Sequence, residues 1–171
     1  MDHRRTTVTL TVLIVLCLFG LFFGVRAVTA DLPGEGILKE PEASCTNRTV
    51  SAGSTITTEE VTVSVFNAGG RSGLASRTMQ EFVKRGFAAG DSGNARNADV
   101  KRGQVWADSS ENPAAKLVLR QLGAGYQIHT GKPVLGVGVV VVLGSDFQQL
   151  AKKAPSRIKV TQDATICSPP L

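Results

Sequence analysis

Residues 61–75 read VTVSVFNAGGRSGLA, and they predict a β-strand, a tight turn and the start of a helix. Over 61–67, β-branched apolar residues alternate with polar ones, which is typical of a strand. Residues 68–73 are rich in glycine and predict a tight turn. From Leu74 to Arg85 the apolar residues fall on one face of a helix, and Gly86 is a suitable residue to end it.

Further elements follow on the C-terminal side. Strands are predicted over Val100–Asp108, Tyr126–Thr130 and Val137–Leu143, with a loop over 90–97. A second helix is predicted from Pro113 to Leu122, with Asn112 as its N-cap and proline at the first helical position. The last strand is apolar at nearly every position, so we expect it to be central and covered by helices. The order β-α-β-α-β-β predicts a small α/β layer domain over 61–150.

An uncharged apolar run from Val8 to Val25 precedes this domain. It is long enough to span the hydrocarbon of a bilayer as a helix, and we predict a transmembrane helix over 8–28. His3, Arg4 and Arg5 lie before the run, which places the N-terminus, residues 1–7, in the cytoplasm. The alternative is a signal peptide cleaved after Ala30. Both alternatives export the remainder, in which residues 29–60 are predicted to form an extracytoplasmic stalk.

Cys45 and Cys167 flank the predicted domain on the exported side of the membrane. The environment there is oxidising, so we expect these cysteines to form a disulfide. The bridge would tie the C-terminal tail, residues 151–171, back to the stalk. The alternative is a pair of free thiols.

The charge of the chain argues against nucleic acid as a partner. The formal net charge is +5, and 16 basic and 13 acidic residues lie beyond Ala30. This excess is too small and too evenly spread for a nucleic-acid surface.

Three pieces of the sequence together resemble the LytR C-terminal domain family of envelope proteins. They are Val63–Ala75, Gly86-Phe87 and Val139–Phe147, the last of which reads VVVVLGSDF. In many relatives this domain follows a LytR-CpsA-Psr catalytic domain, for which this chain has no room, so no activity of that enzyme is carried over. The architecture is similar to stand-alone, membrane-anchored actinobacterial proteins associated with envelope integrity. The resemblance implies an extracytoplasmic domain held at the cell membrane.

The glycine-rich turn is the candidate ligand site. A turn between a strand and a helix can present backbone N–H groups to a phosphate or carboxylate of a wall polymer. The residues concerned are Asn67, Gly69, Gly70, Arg71, Gly73 and Arg77. The alternative is purely structural, with glycines serving positive φ angles and close packing. The spacing is neither a dinucleotide-binding fingerprint nor a P-loop.

The sequence offers no convincing catalytic or metal-binding constellation. His129 is the one histidine beyond the apolar run and lies in a predicted strand, and Asp146 is an isolated acid after the last strand. No metal-ligand spacing is present, and we expect no cofactor. The leading hypothesis is a non-enzymatic cell-envelope protein that binds a wall polymer or another envelope protein. The alternative is an enzyme acting on cell-wall precursors.

Overall fold

The computed structural model describes residues 14–21, 44–95 and 97–170. The chain divides into two compact units, Met1–Glu40 and Pro41–Leu171. In the first unit, residues 14–21 are helical. Of the helices described, none is both long and apolar enough to cross a membrane. Residues 1–7, and 8–28 apart from 14–21, lie outside the described residues, so the predicted anchor stays a prediction.

The second unit alternates strands with helices in the manner of an α/β fold. Its elements, in chain order, are β1 (Thr46–Val50), β2 (Thr55–Thr57), β3 (Thr62–Asn67), α1 (Leu74–Lys84), β4 (Ala88–Asn94), β5 (Gly103–Trp106), α2 (Pro113–Leu122), β6 (Ile128–His129), β7 (Val139–Leu143), β8 (Arg157–Lys159) and β9 (Ala164–Ser168). A 3-10 turn over Thr58–Glu60 joins β2 to β3. The mixed α/β class predicted from the sequence is therefore confirmed.

Within the described residues, the main sheet has the strand order β4-β3-β7-β5-β6. Strand β3 pairs in parallel with both β4 and β7. Strand β5 is antiparallel to β7 and parallel to the short edge strand β6. The central position predicted for the valine-rich strand is confirmed, and all five residues of β7 are buried.

Strand β4 corrects the loop that we predicted over 90–97. Its sequence, AAGDSGN, contains small and polar residues that are uncommon in strands, and it does not alternate in polarity. Its extended conformation comes instead from parallel pairing with β3, with a register irregularity between Val63 and Val65. Because the conformation of β4 depends on pairing with β3, the residues of β4 alone do not indicate a strand.

Both helices begin where their sequence signals predicted. Asn112 caps α2 by accepting hydrogen bonds from the N–H groups of Ala114 and Ala115, at 2.9 and 3.4 Å. Helix α1 ends at Lys84, and Gly86 follows with a φ of +91°. Val83, which we expected on the buried face of α1, is 48 % exposed, so that part of the pattern was wrong.

The two faces of the sheet are covered differently. The core on one face contains α1 and α2 packed on alternate strand residues, such as Val65, Val105 and Val141. On the other face, Phe66, Trp106, Val140 and Val142 pack with residues of connecting segments rather than with α1 or α2. The expectation that helices cover both faces of β7 was therefore wrong. Irregular segments, which carry little periodicity in their sequence, supply the second cover.

Strands also occupy segments that we predicted to be stalk and tail. Strand β1 pairs antiparallel with β9, and β2 pairs antiparallel with β8. Residues 44–60 and the greater part of 151–170 therefore pair with each other. Residues 44–60 of the predicted stalk are thus folded into the second unit, whereas 29–43 lie outside the described residues. The C-terminal tail is tied back, as predicted, by the disulfide and by these strand pairs. Strands β1 and β8 are mostly exposed, and the partners of these short strands lie a hundred or more positions away in the sequence, as with the separation of 122 between Thr46 and Ser168. Local sequence does not reveal such pairs.

The predicted disulfide is present. Cys45 and Cys167 are bonded, with their Cα atoms 5.4 Å apart and a sequence separation of 122. Cys167 lies within β9 and Cys45 directly precedes β1, so the bond closes the end of the β1–β9 ladder.

Removing this bond should destabilise the second unit. The loop that it closes is long, and loss of a comparable disulfide costs about 2–5 kcal/mol of stability, chiefly because the unfolded chain gains conformational entropy. We expect Cys45→Ser/Cys167→Ser to lower the free energy of unfolding of the full chain in detergent by this amount. Urea denaturation followed by the fluorescence of Trp106, the one tryptophan of the sequence, measures it.

The control is Cys17→Ser, because Cys17 is a free cysteine. It should leave the urea midpoint unchanged, and reductant should reproduce the effect of the double variant in the wild-type chain. A double variant as stable as the wild type would contradict a structural role for the bond.

Candidate functional site

The turns after β3 and β7 meet at one edge of the sheet. Asn67 and Leu143, the last residues of these parallel strands, are register partners. The N–H of Ala68 then donates to the carbonyl of Leu143 at 2.8 Å. Ligand sites of open α/β sheets commonly form at the carboxyl ends of parallel strands, which makes this edge the first place to look.

Asn67 holds the glycine-rich turn together. Its side chain is buried, with 6 % of the residue exposed. Its Nδ2 donates to the carbonyl of Arg71 at 2.7 Å, and its Oδ1 accepts from the N–H of Gly69 at 3.0 Å. Because both ends of the carboxamide are used inside the turn, Asn67 acts as a structural clamp in this geometry.

Gly69 and Gly144 allow two backbone segments to touch. A Cβ added to Gly69 would lie 2.3 Å from the nitrogen of Ser145. A Cβ added to Gly144 would lie 2.1 Å from the carbonyl oxygen of Val100 and 2.2 Å from that of Lys101. All three distances are far below van der Waals contact, so neither position has room for a side chain.

Gly70 and Gly73 have a different requirement. Their φ angles are +73° and +69°, in the left-handed region that favours glycine. Gly73 is also the N-cap residue of α1. The three glycines of the turn, and Gly144 in the turn after β7, therefore have structural reasons for glycine, whether or not a ligand binds.

Arg71 and Arg77 are the two exposed cations of the predicted site. The Arg71 guanidinium donates to the carbonyl of Phe147, and thus joins the turn to the segment that follows β7. The Arg77 guanidinium donates to the carbonyl of Ser72 at 2.9 Å. Both side chains line a groove beside α1.

We call this groove the basic groove. It has a volume of about 560 Å³ and runs between the outer side of α1 and the segment 147–152. Its cations are Arg71, Arg77, Arg85 and Lys152. The structure thus brings Arg71 and Arg77 together with residues that the sequence prediction missed.

Arg85 and Lys152 are the missed residues. Arg85 donates to Oε1 of Gln121 at 3.0 Å and to the carbonyl of Ala151 at 2.8 Å, which fixes the end of α1 against the C-terminal segment. Lys152 is exposed. The sequence signal for both was weak, namely a cation at a helix end and a cation in a basic tail.

The charges of the basic groove are poorly compensated. Glu81 is the acid that lines it, and Glu81 is paired with Lys84 at 2.7 Å. The hydrogen bond from Lys84, aided by the charges of Lys84 and Arg85, lowers the pKa of Glu81, which therefore stays ionised at neutral pH. The arginines bond to neutral carbonyl and amide oxygens, and the ion pairs found among the described residues include none of the four groove cations. An anionic ligand would meet an excess of positive charge.

The residues considered for catalysis lie apart. Asp146 accepts a hydrogen bond from the hydroxyl of Ser145 at 2.9 Å. His129 lies in β6, paired in register with Trp106. In the described part of the chain, no group of three or more His, Cys, Asp or Glu residues is placed to hold a metal ion.

These features define the class of protein: an α/β domain with a basic groove beside the helix that follows a glycine turn. The profile of the LytR C-terminal family, described as LytR cell envelope-related transcriptional attenuator, matches residues 60–147. This is just over half of the chain, and the chain belongs to that family. The family places it among cell-envelope-related proteins.

Comparison with curated protein sequences finds no match. Among solved structures, the chain is similar to the soluble domain, residues 71–217, of a conserved hypothetical secreted protein from Mycobacterium marinum. The sequences are 25 % identical, the match covers 61 % of this chain and 70 % of that one, and the TM-score is 0.48.

The close contact between Gly144 and the backbone of residues 100–101 can be tested by substitution. We expect Gly144→Ala to destabilise the full chain by about 2–3 kcal/mol or more, because its methyl group would overlap the carbonyls of Val100 and Lys101. The matched control is Gly131→Ala, where nothing lies within 4 Å and only the positive φ of +65° opposes the side chain. Its expected cost is about 1 kcal/mol. Urea denaturation measures the loss of stability in each variant, and equal losses would contradict the close backbone contact at Gly144.

Proposed function

We propose that this protein is a non-enzymatic envelope protein whose basic groove binds an anionic wall polymer outside the membrane. The observation that supports the proposal is the set of four cations that line one groove, Arg71, Arg77, Arg85 and Lys152, none of which forms an ion pair in the described part of the chain. Repeated phosphates or carboxylates along a polymer would complement such a set.

The shape of the groove supports an extended ligand. It is open to solvent along α1 and continues past Arg85 and Lys152 into a smaller cavity of about 260 Å³ beside Gln121 and Pro155. Arg85 and Lys152 line both cavities. A polymer can lie along such a surface, whereas a compact substrate would need an enclosing pocket.

The proposed place of action follows from the N-terminal sequence and the cysteines. The apolar run of 8–25 would hold the domain at the membrane, with His3, Arg4 and Arg5 on the cytoplasmic side. A disulfide between Cys45 and Cys167 agrees with an oxidising compartment beyond that membrane. Membership of the LytR C-terminal family agrees with a role at the envelope.

The test is co-sedimentation of the full chain, in detergent, with insoluble cell walls before and after chemical removal of their phosphodiester-linked polymers. Binding should depend on those polymers and should weaken as salt is added, because exposed charges are screened. In Arg77→Gln/Lys152→Gln, two exposed groove cations are lost, and we expect about tenfold weaker binding.

The control removes the same charge elsewhere. Arg120 and Lys159 are exposed and do not line the basic groove. The control variant is therefore Arg120→Gln/Lys159→Gln. Arg71 is left unchanged in both variants because its guanidinium also fastens Phe147. An equal loss of wall affinity in the two variants would mean that the net charge of the protein, and not the groove, attracts the polymer. No binding to either wall preparation would reject the polymer and favour a protein partner.

A further inference from the structure

Another cavity lies on the sheet face that the helices leave uncovered. Its volume is about 400 Å³, and residues 94–95, 97–100, 132–133 and 135 form its sides. Trp106 of β5 forms part of its floor, so we call it the Trp106 cavity. Small-molecule sites of proteins commonly measure about 300–1,000 Å³.

The floor of the Trp106 cavity is apolar. Trp106 is 7 % exposed, and Val100, Pro133 and Leu135 extend the apolar surface beside it. The indole is held in place, because its Nε1 donates to Oε1 of Gln104 at 2.8 Å. Its small exposed part is therefore fixed in position, and most of the apolar surface open to a ligand belongs to Pro133 and Leu135.

The rim of the cavity is polar and its hydrogen-bonding capacity is largely unused. Asn94, Asn97 and Asp99 line it, and none of their side chains bonds to another described residue. Gln104 uses its Oε1 on Trp106 and leaves its amide nitrogen without a bond to the described residues. Lys132 lies with its Nζ 5.7 Å from the centroid of the indole ring. Amide donors and acceptors therefore surround an apolar floor.

The balance of charge narrows the class of ligand. Among the described residues that line the cavity, Asp99 and Lys132 are charged, and their formal charges cancel. These two charges give a polyanion little net attraction, and a wholly apolar ligand would cover amides without bonding to them. A sugar ring meets both conditions, since its hydroxyls donate and accept while its C–H face is apolar.

We propose that the Trp106 cavity is a carbohydrate site that takes an uncharged sugar unit. The C–H face of the ring would lie against Pro133 and Leu135, beside the exposed part of the indole. Its hydroxyls would bond to the side chains of Asn94, Asn97 and Asp99. This site is separate from the basic groove, which lies along α1 on the other side of the sheet and carries excess positive charge.

The test uses Trp106 as its own reporter, because the sequence contains one tryptophan. The full chain in detergent is titrated with neutral trisaccharides of glucose, galactose and N-acetylglucosamine up to millimolar concentrations. At least one should cause a saturable change in tryptophan emission, and isothermal calorimetry should give the same dissociation constant. Asn97→Ala should weaken that binding about fivefold by removing one hydrogen bond.

Asn97 is exposed, so this variant should fold, and Gln127→Ala is the matched exposed control outside the cavity. The groove variant Arg77→Gln/Lys152→Gln should bind the saccharide as the wild type does, which separates this proposal from polymer binding. Absence of a saturable signal by both methods for all three trisaccharides would overturn the proposal. Equal affinity of Asn97→Ala and Gln127→Ala would also overturn it, as would saturable binding of sodium benzoate in place of the sugars.

Discussion

The contact between the turn after β3 and the turn after β7 fixes the geometry of the functional edge. Gly69 lies against the Gly144–Ser145 backbone so closely that no Cβ fits, and Gly144 is similarly pressed against residues 100–101. Helix α1 departs from the first turn, and the segment 147–152 departs from the second. These are the two walls of the basic groove, so its position depends on a backbone contact that glycine alone permits.

Hydrogen bonds then hold the walls in place. The guanidinium of Arg71 bonds to the carbonyl of Phe147 at one end of the groove. Toward the other end, Arg85 bonds to buried Gln121, whose Nε2 donates to the carbonyl of Pro155 at 2.8 Å. Arginine suits both places, because its fork of donors can bind a carbonyl while the charge still attracts an anion. The same side chains can thus be structural and ligand-directed.

The alternation of β7 divides the domain into two different surfaces. Val139, Val141 and Leu143 point into the core with α1 and α2, whereas Val140 and Val142 pack beneath Trp106 and the loops. A helical cover leaves a regular, charged outer surface. A cover made of loops leaves gaps between segments, and the Trp106 cavity is such a gap. Different covers on one strand therefore give the two faces different chemistry.

The sequence by itself determined the elements whose signals are local: the alternation of β3, the glycine turn, the apolar face of α1, the Asn112-Pro113 start of α2 and the apolar run of β7. It also placed Arg71 in the glycine turn and Arg77 near the start of the helix that follows. Tertiary structure decided the rest. Strand β4 is extended because β3 pairs with it, and β1 and β2 exist because β9 and β8 return from the far end of the chain. Folding alone brings Lys152 to the groove that Arg77 lines, and Asn97 to the cavity that Trp106 lines. Contacts between such distant segments follow from packing, which no local pattern encodes.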